Sequence, residues 1–155
     1  MASIADEGIF HYHLQQGHQA LIACQYPQAR DHYEQAYQAA FRLFYAKDYP
    51  CQKIEPVAAY AQSCLALARY YHTLEDIQAQ EDYLLQAHES LMAASTDYDR
   101  SAAFRRQCFD WLQQTLHLLL AFYGPGQQAE AQANLISNLE VLTCYFAPDL
   151  HQASG

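Results

Sequence analysis

Residues 10–44 read FHYHLQQGHQALIACQYPQARDHYEQAYQAAFRLF, and their spacing decides the fold. Phe10, Leu14, Gly17, Leu21 and Cys24 recur at steps of four and three, which places them on one face of a helix. Ala29, Tyr33, Ala36, Ala40 and Phe44 repeat the pattern after a break at Gln25 and Tyr26. Pro27 sits where the first turn of a helix tolerates a missing N–H, so it opens the second helix rather than breaking it. A turn this short forces the two helices antiparallel, and the stretch therefore reads as a helical hairpin.

The same punctuation continues outward. Ser3 and Asp6 form a capping-box pattern that starts the first helix, which the spacing runs from about residue 4 to 24. The second helix runs to about Ala46, and Asp48 to Glu55, with Pro50, make a loop. Pro56 opens a third helix with Val57, Ala61, Cys64, Ala68 and Tyr71 on one face. Thr73 and Asp76 read as the cap of a fourth, with Ile77, Leu84, Ala87, Leu91 and Ala94 inward. Thr96 and Asp99 read as the cap of a fifth, with Phe104, Cys108, Trp111, Thr115, Leu118 and Phe122 inward, stopped by Gly124, Pro125 and Gly126. Ala131, Leu135, Leu139, Leu142 and Phe146 mark a sixth that Pro148 ends. The expected fold is all-α: three antiparallel helical hairpins (six helices), about 4–46, 55–95 and 97–146, in a single domain over residues 1–155 with a disordered tail at 147–155.

Composition agrees. The chain has 155 residues, and Val, Ile and Thr together number 12 against 26 Ala, 18 Leu and 19 Gln. Eight Lys and Arg against 17 Asp and Glu leave a net charge of −9, which argues against nucleic acid and against an anionic membrane surface. The longest apolar run, Leu118 to Tyr123, is far short of the roughly 20 residues that span a bilayer, and the N-terminus has no basic, apolar leader pattern. A cytoplasmic protein is expected. The five cysteines, Cys24, Cys51, Cys64, Cys108 and Cys144, form no CxxC pair, and those on helices fall among apolar residues, so they read as reduced core thiols.

A shift of about 51 residues carries Tyr33 to Leu84 and Leu135, and Gly17 to Ala68 and Leu119, so the hairpins repeat. Gly17, Tyr26, Ala29, Tyr33 and Ala36 stand at the spacings of the tetratricopeptide repeat, and the first hairpin resembles that family. Leu67, Ala68, Tyr71, Ile77, Leu84 and Ala87 match it in the second hairpin, with Gln80 departing where alanine is expected. The family's tryptophan and closing proline are missing, Leu119 and Asn138 depart in the third hairpin, and the period exceeds the usual figure of about 34, which implies longer helices. The resemblance implies a right-handed superhelical array whose first helices line a concave groove for a peptide or partner helix.

Carried across residue by residue, the groove positions are His11, Leu14, His18, Leu21 and Ile22, then Gln62, Leu65, Arg69 and His72, then Gln113, Leu116, His117 and Tyr123. Imidazoles and amides over an apolar floor can donate and accept hydrogen bonds without fixed charge, which suits a polypeptide ligand. The family's clamp for a terminal carboxylate is not reproduced, because Leu14 and Leu65 stand where cations are needed. The function the resemblance implies is non-catalytic protein binding, as an adaptor, regulator or secretion-chaperone-like factor. Ordinary half-exposed helix residues are the plain alternative for this set, and a homo-oligomeric module, a possible homodimer, is the alternative for the whole chain. Arg100, Arg105 and Arg106 form the basic cluster, a second candidate patch for an acidic partner.

Of the 13 tyrosines, Tyr33, Tyr71 and Tyr145 fall on core lines, while Tyr45, Tyr49, Tyr70, Tyr98 and Tyr123 lie near helix ends and are expected at the surface. No cofactor or metal is expected: His11 and His13 point about 200° apart on a helix, and no histidine has an acid three positions before it. An enzyme would need Cys64 or Cys108 activated by a histidine, and neither position shows that pattern.

Overall fold

Two prolines and two capping side chains position the helices that carry the candidate site. The computed structural model describes residues 4–46, 55–124, 133–137 and 140. Its helices are α1 (Ile4–Ile22), α2 (Tyr26–Tyr45), α3 (Pro56–Thr73), α4 (Ile77–Ser95) and α5 (Ala102–Tyr123), and residues 133–137 are also helical. No strand occurs among the described residues, so the chain is all-α. Pro27 lies in the first turn of α2 and Pro56 opens α3, both where the lost N–H would have had no intrahelical partner.

The start of α4 is set by Asp76, whose carboxylate accepts from the Ala79 N–H at 3.1 Å. Thr73, expected to cap α4, instead ends α3 and donates its hydroxyl to the Arg69 carbonyl at 3.0 Å. The fifth helix likewise starts later than expected. Thr96 is the residue after α4, and the α5 N-terminus is held by Ser101, whose hydroxyl accepts from the Phe104 N–H at 3.1 Å. The Ser3 cap, the loop over residues 47–54, most of the sixth helix and the tail at 147–155 lie outside the described residues.

The turns after α1 and α3 share one geometry. Cys24 and Glu75 both have φ of 58°, the left-handed region. After α1, the Cys24 N–H donates to the Leu21 carbonyl at 3.0 Å and the Gln25 N–H to the Ala20 carbonyl at 2.8 Å. After α3, the Glu75 N–H donates to His72 and the Asp76 N–H to Tyr71, each at 3.0 Å. These are two Schellman closures, and each member of one lies about 51 positions from its counterpart in the other. The repeat read from side chains is thus present in the backbone of the first two hairpins. Neither turn uses glycine.

The chain divides into two compact units, residues 1–115 and 116–155. In the first, α1 packs on α2, α2 on α3 and α3 on α4, with α1 touching α3 lightly. At Gly17 the missing side chain makes room for the Tyr33 ring: a Cβ there would stand 2.6 Å from Tyr33 Cδ1. Tyr33, Ala29, Leu67, Tyr70, Ala66 and Ala20 form one buried cluster, and Phe10, Ala36, Ala39, Ala40 and Ala59 another. Alanines on α2 and α3 let the backbones approach, and large rings fill the remaining space. Tyr60 stacks on Phe44 with centroids 4.4 Å apart and donates its hydroxyl to Ser90 Oγ at 3.0 Å. Asp6, buried at the start of α1, accepts from Arg42 Nε of α2 at 2.9 Å.

The first part of α5 joins this unit through Phe104, which meets Phe44 at 5.5 Å between centroids, and through Arg100 just before it. Arg100 donates to the Ala46 carbonyl at 3.0 Å and to the Phe44 carbonyl, so a cation closes the C-terminus of α2, and its guanidinium lies 3.8 Å over the Phe104 ring. In the second unit, Leu116, Leu119 and Leu135 are buried.

Several sequence expectations are corrected here. Cys24 is exposed at the turn, whereas Cys64 and Cys108 are buried as expected. Cys51 and Cys144 lie outside the described residues. Ile77 is 67% exposed, because it is the first residue of α4 and precedes the inward line. Tyr70 is buried against Tyr33 rather than exposed, while Tyr45 and Tyr98 are exposed as expected. The inward line of α5 passes through Cys108, Leu112, Thr115, Leu116 and Leu119, and Leu118 is exposed. Steps of three and four through a leucine-rich helix have more than one continuation, and Trp111–Thr115–Leu118 is the neighbouring one. No described helix is long and apolar enough to cross a membrane.

Candidate functional site

His18 and Arg69 come from different hairpins, and both act on the buried Tyr33, His18 by direct contact and Arg69 through its charge. His18 Nδ1 lies 2.7 Å from the Tyr33 hydroxyl. That hydroxyl belongs to a ring only 1% exposed, held in place by Gly17 on α1 and by Tyr70 on α3. When His18 is neutral, the phenol donates to Nδ1 and the imidazole carries its proton on Nε2. His18 is held below the ordinary histidine range first by desolvation and then by the positive field of Arg69. Burial raises the Tyr33 phenol while Arg69 pulls it back, so the Arg69 guanidinium acts on both groups. Arg69 is exposed and makes no ion pair among the described residues.

The other groove positions divide by exposure. On α1, His11 and Ile22 are exposed, while Leu14 and Leu21 are half-buried against the core. On α3, Gln62 and His72 are exposed and Leu65 is half-buried. On both helices the polar side chains are exposed and the leucines half-buried. Gln113 is exposed on α5 of the first unit. In the second unit, His117 is exposed and Tyr123 half-buried, but Leu116 is buried and does not line a surface.

The basic cluster is not the free patch the sequence suggested. Arg100 is committed to the α2 carbonyls and the Phe104 ring, and Arg105 lies 5.2 Å over the Tyr98 ring. Arg106 alone of the three is exposed.

Two histidine arrangements escape a reading along single helices. His13 Nδ1 of α1 and His32 Nδ1 of α2 are 2.9 Å apart, both half-buried. Desolvation, and then His32, hold His13 below the ordinary range. His88 of α4 is buried, its Nδ1 3.1 Å from Thr115 Oγ1. Because the Thr115 hydroxyl donates to the Leu112 carbonyl at 2.9 Å, it accepts from His88 Nδ1–H. Nε2 of His88 has no hydrogen-bond partner among the described residues, and burial pushes this histidine down to about 4. The signal for the pairs across the first hairpin is reflection through its turn, which sends His18 and His13 to within about one helical turn of Tyr33 and His32.

Burial pushes the Cys64 and Cys108 thiols up to about 12, so both stay protonated at neutral pH. Among the described residues no group of three or more His, Cys, Asp or Glu side chains is placed to hold a metal ion.

No curated protein and no solved structure matches the chain. A family model described as "Protein of unknown function (DUF2753)" matches residues 10–148. His18, Tyr33, Arg69 and the inward part of α5 all fall inside that match, and the chain belongs to this family.

Proposed function

We propose that the chain is a non-catalytic binding module, built as a divergent tetratricopeptide-like array, that takes a carboxylate-bearing polypeptide segment on the face formed by α1 and α3. The observation that carries this reading is the hydrogen bond of His18 to one buried tyrosine, with the exposed Arg69 of the next hairpin near enough for its charge to act on both. In a chain of net charge −9, an exposed guanidinium without an ion pair among the described residues is a specific place for a partner's carboxylate. Beside it, the imidazole tautomer set by Tyr33 offers an Nε2–H donor, and Leu14 and Leu65 supply apolar contact nearby along the same helices. His11, Gln62 and His72 extend the polar lining along the same two helices.

The test uses fluorescence anisotropy with a set of labelled peptides of matched length, acidic and neutral, against wild type and His18→Ala, Arg69→Ala. Acidic peptides should bind wild type preferentially, weaken as salt rises, and lose affinity in a variant that keeps its helical circular dichroism. Equal affinity of a folded variant removes the reading.

A second reading is self-association, favoured by the stripe Tyr37, Phe41 and Tyr45 on α2. Phe41 and Tyr45 are 41% and 50% exposed with ring centroids 4.5 Å apart. A light-scattering mass of two chains that falls to one in Phe41→Ser, Tyr45→Ser supports it.

A further inference from the structure

His13 and His32 are built into the first hairpin in a way the polypeptide-binding face does not use. They lie 19 positions apart in sequence and meet across the α1–α2 contact, with Nδ1 atoms 2.9 Å apart, ring centroids 5.1 Å apart and planes 34° apart. Those distances set the two nitrogens head-on, so a single hydrogen lies between them: one ring donates from Nδ1–H and the other accepts at Nδ1. The donor ring therefore keeps its lone pair on Nε2, while the acceptor ring carries its hydrogen there. Both rings are half-buried, and Tyr12 packs edge-on against them, at 5.0 Å from His13 and 6.3 Å from His32. His13 is about 140° round α1 from His18, so the pair belongs to another side of that helix.

A pair joined in this way takes protons unequally. A first proton from solvent adds to Nε2 of the donor ring, which leaves the Nδ1–H···Nδ1 bond in place and gives it a charged donor. A second proton has one place left, Nδ1 of the acceptor ring. Two N–H groups then point at each other where one bond stood, on two cations with centroids 5.1 Å apart. We propose that His13 and His32 form a one-proton latch across the first hairpin: the pair accepts one proton with α1 held to α2, and the second breaks the bond and parts the helices at this level. The surrounding groups do not offset the second charge. On α1 the titratable side chain against both rings is Tyr12. On α2, Asp31 and Glu34 are engaged with Arg30, at 3.8 Å and 4.0 Å. On α3, Arg69 acts on His18 and Tyr33. Among the described residues the one charge that moves His13 is that of His32, which adds to desolvation in holding it down. The unfolded chain takes the second proton freely and the folded chain resists it, so the latch contributes stability above the ordinary histidine value of 6.5 and loses it as pH falls.

Nitrogen-15 NMR of the histidine side chains, followed from about pH 8 down to 4, tests the latch. At the upper end one ring should be the Nδ1–H tautomer and the other the Nε2–H tautomer, with a nitrogen–nitrogen coupling across the shared hydrogen. The pair should titrate in two steps separated by more than about one unit, against about 0.6 for two independent, equivalent rings. Below the lower step, nuclear Overhauser contacts between Tyr12 and His32 should vanish while those between Phe44 and Tyr60 persist. His32→Gln can hold the hydrogen bond but takes no proton, so in that chain His13 should titrate in a single step, about one unit above the lower step of the pair. The wild-type measurements need no variant, so a substitution that fails to fold leaves the proposal open to refutation. Both rings in the Nε2–H tautomer, two steps within about 0.6 unit, Tyr12–His32 contacts that survive the lower step or vanish only together with Phe44–Tyr60, or an unmoved His13 in a folded His32→Gln chain each overturns it. None of these outcomes depends on whether the α1–α3 face binds a polypeptide.

Discussion

Lowering the pH should destabilise the fold through His88, by an amount the structure sets. His88 is 2% exposed, donates from Nδ1 to Thr115 Oγ1, and has no partner for Nε2 among the described residues, so protonation would place a charge and an N–H in a buried site where none of them accepts it. Its folded value of about 4 lies below the 6.5 of a free histidine. The unfolded chain therefore takes up a proton at this position as pH falls through 6.5, while the folded chain does not until about 4. Stability is fully present above 6.5, is lost on the way down, and the loss is complete below about 4. Those two values correspond to about 2 kcal/mol lost between pH 7.5 and 5, and about 3 kcal/mol at the limit. The assay is urea unfolding followed by circular dichroism at pH 7.5 and pH 5.0, in wild type and His88→Leu. Leucine fills a similar volume, and Thr115 keeps its own hydrogen bond to Leu112, so the variant leaves no new buried donor unpaired. His13 and His18 shift in the same direction but are present in both proteins, so their contribution cancels in the difference. The variant should lose about 2 kcal/mol less than wild type over that interval. Parallel losses within about 0.5 kcal/mol would refute the assignment of a buried, neutral His88.

Three further outcomes follow from particular contacts. Cys24→Gly and Glu75→Gly should each stabilise by about 0.5–1 kcal/mol, because both residues hold φ of 58° at a helix end where glycine relieves the Cβ clash; a lower unfolding midpoint in both would refute the shared turn geometry. Gly17→Ala should destabilise by about 1–3 kcal/mol, since its methyl group would meet a Tyr33 ring that cannot move aside; the loss should shrink in a Tyr33→Leu background, and an undiminished loss there would separate the two residues. In a chain with Cys51 and Cys144 replaced by serine, a thiol reagent at pH 7.5 should label Cys24 within minutes and spare Cys64 and Cys108, which are buried and pushed up to about 12; mass spectrometry of the native protein reads the outcome, and equal labelling contradicts the packing.

What could be read along the sequence was whatever depends on a single helix. Pro27 and Pro56 mark helix starts by a covalent constraint that no packing can overrule, and the Ala29, Tyr33, Ala36 and Ala40 line is buried as its spacing requires. Turn chemistry was harder, because Cys24 and Glu75 adopt a conformation that glycine signals and neither residue announces. Caps shifted for a related reason. Thr73 and Thr96 have the right side chains for capping, yet each can also bond back to the preceding turn, and that is where both hydroxyls go. On α5 the leucines leave two inward lines nearly equal in spacing, and packing chooses the one through Leu112 and Leu119. Pairs formed across a turn, His13 with His32 and His18 with Tyr33, have no periodic signature and emerge only when two helices are laid side by side.

The residue that fixes the first hairpin is also the one that sets up the candidate face, and the two roles need not conflict. Tyr33 must lie flat against Gly17 for α1 and α2 to approach, so its ring position is determined by packing before any ligand is considered. A phenylalanine would serve that packing equally well. What the tyrosine adds is a hydroxyl that reaches His18 at 2.7 Å, and a buried phenol that can donate there selects one tautomer of a surface imidazole. Arg69 then comes from the next hairpin, one residue before Tyr70, whose ring packs edge-on against Tyr33 across the α2–α3 contact. The donor set on the surface is in this way a consequence of core geometry: the small residue at 17 admits the ring, the ring carries the hydroxyl, and the hydroxyl orients the histidine. A face organised from beneath in this manner needs little rearrangement to bind, which lowers the entropic cost of recognition.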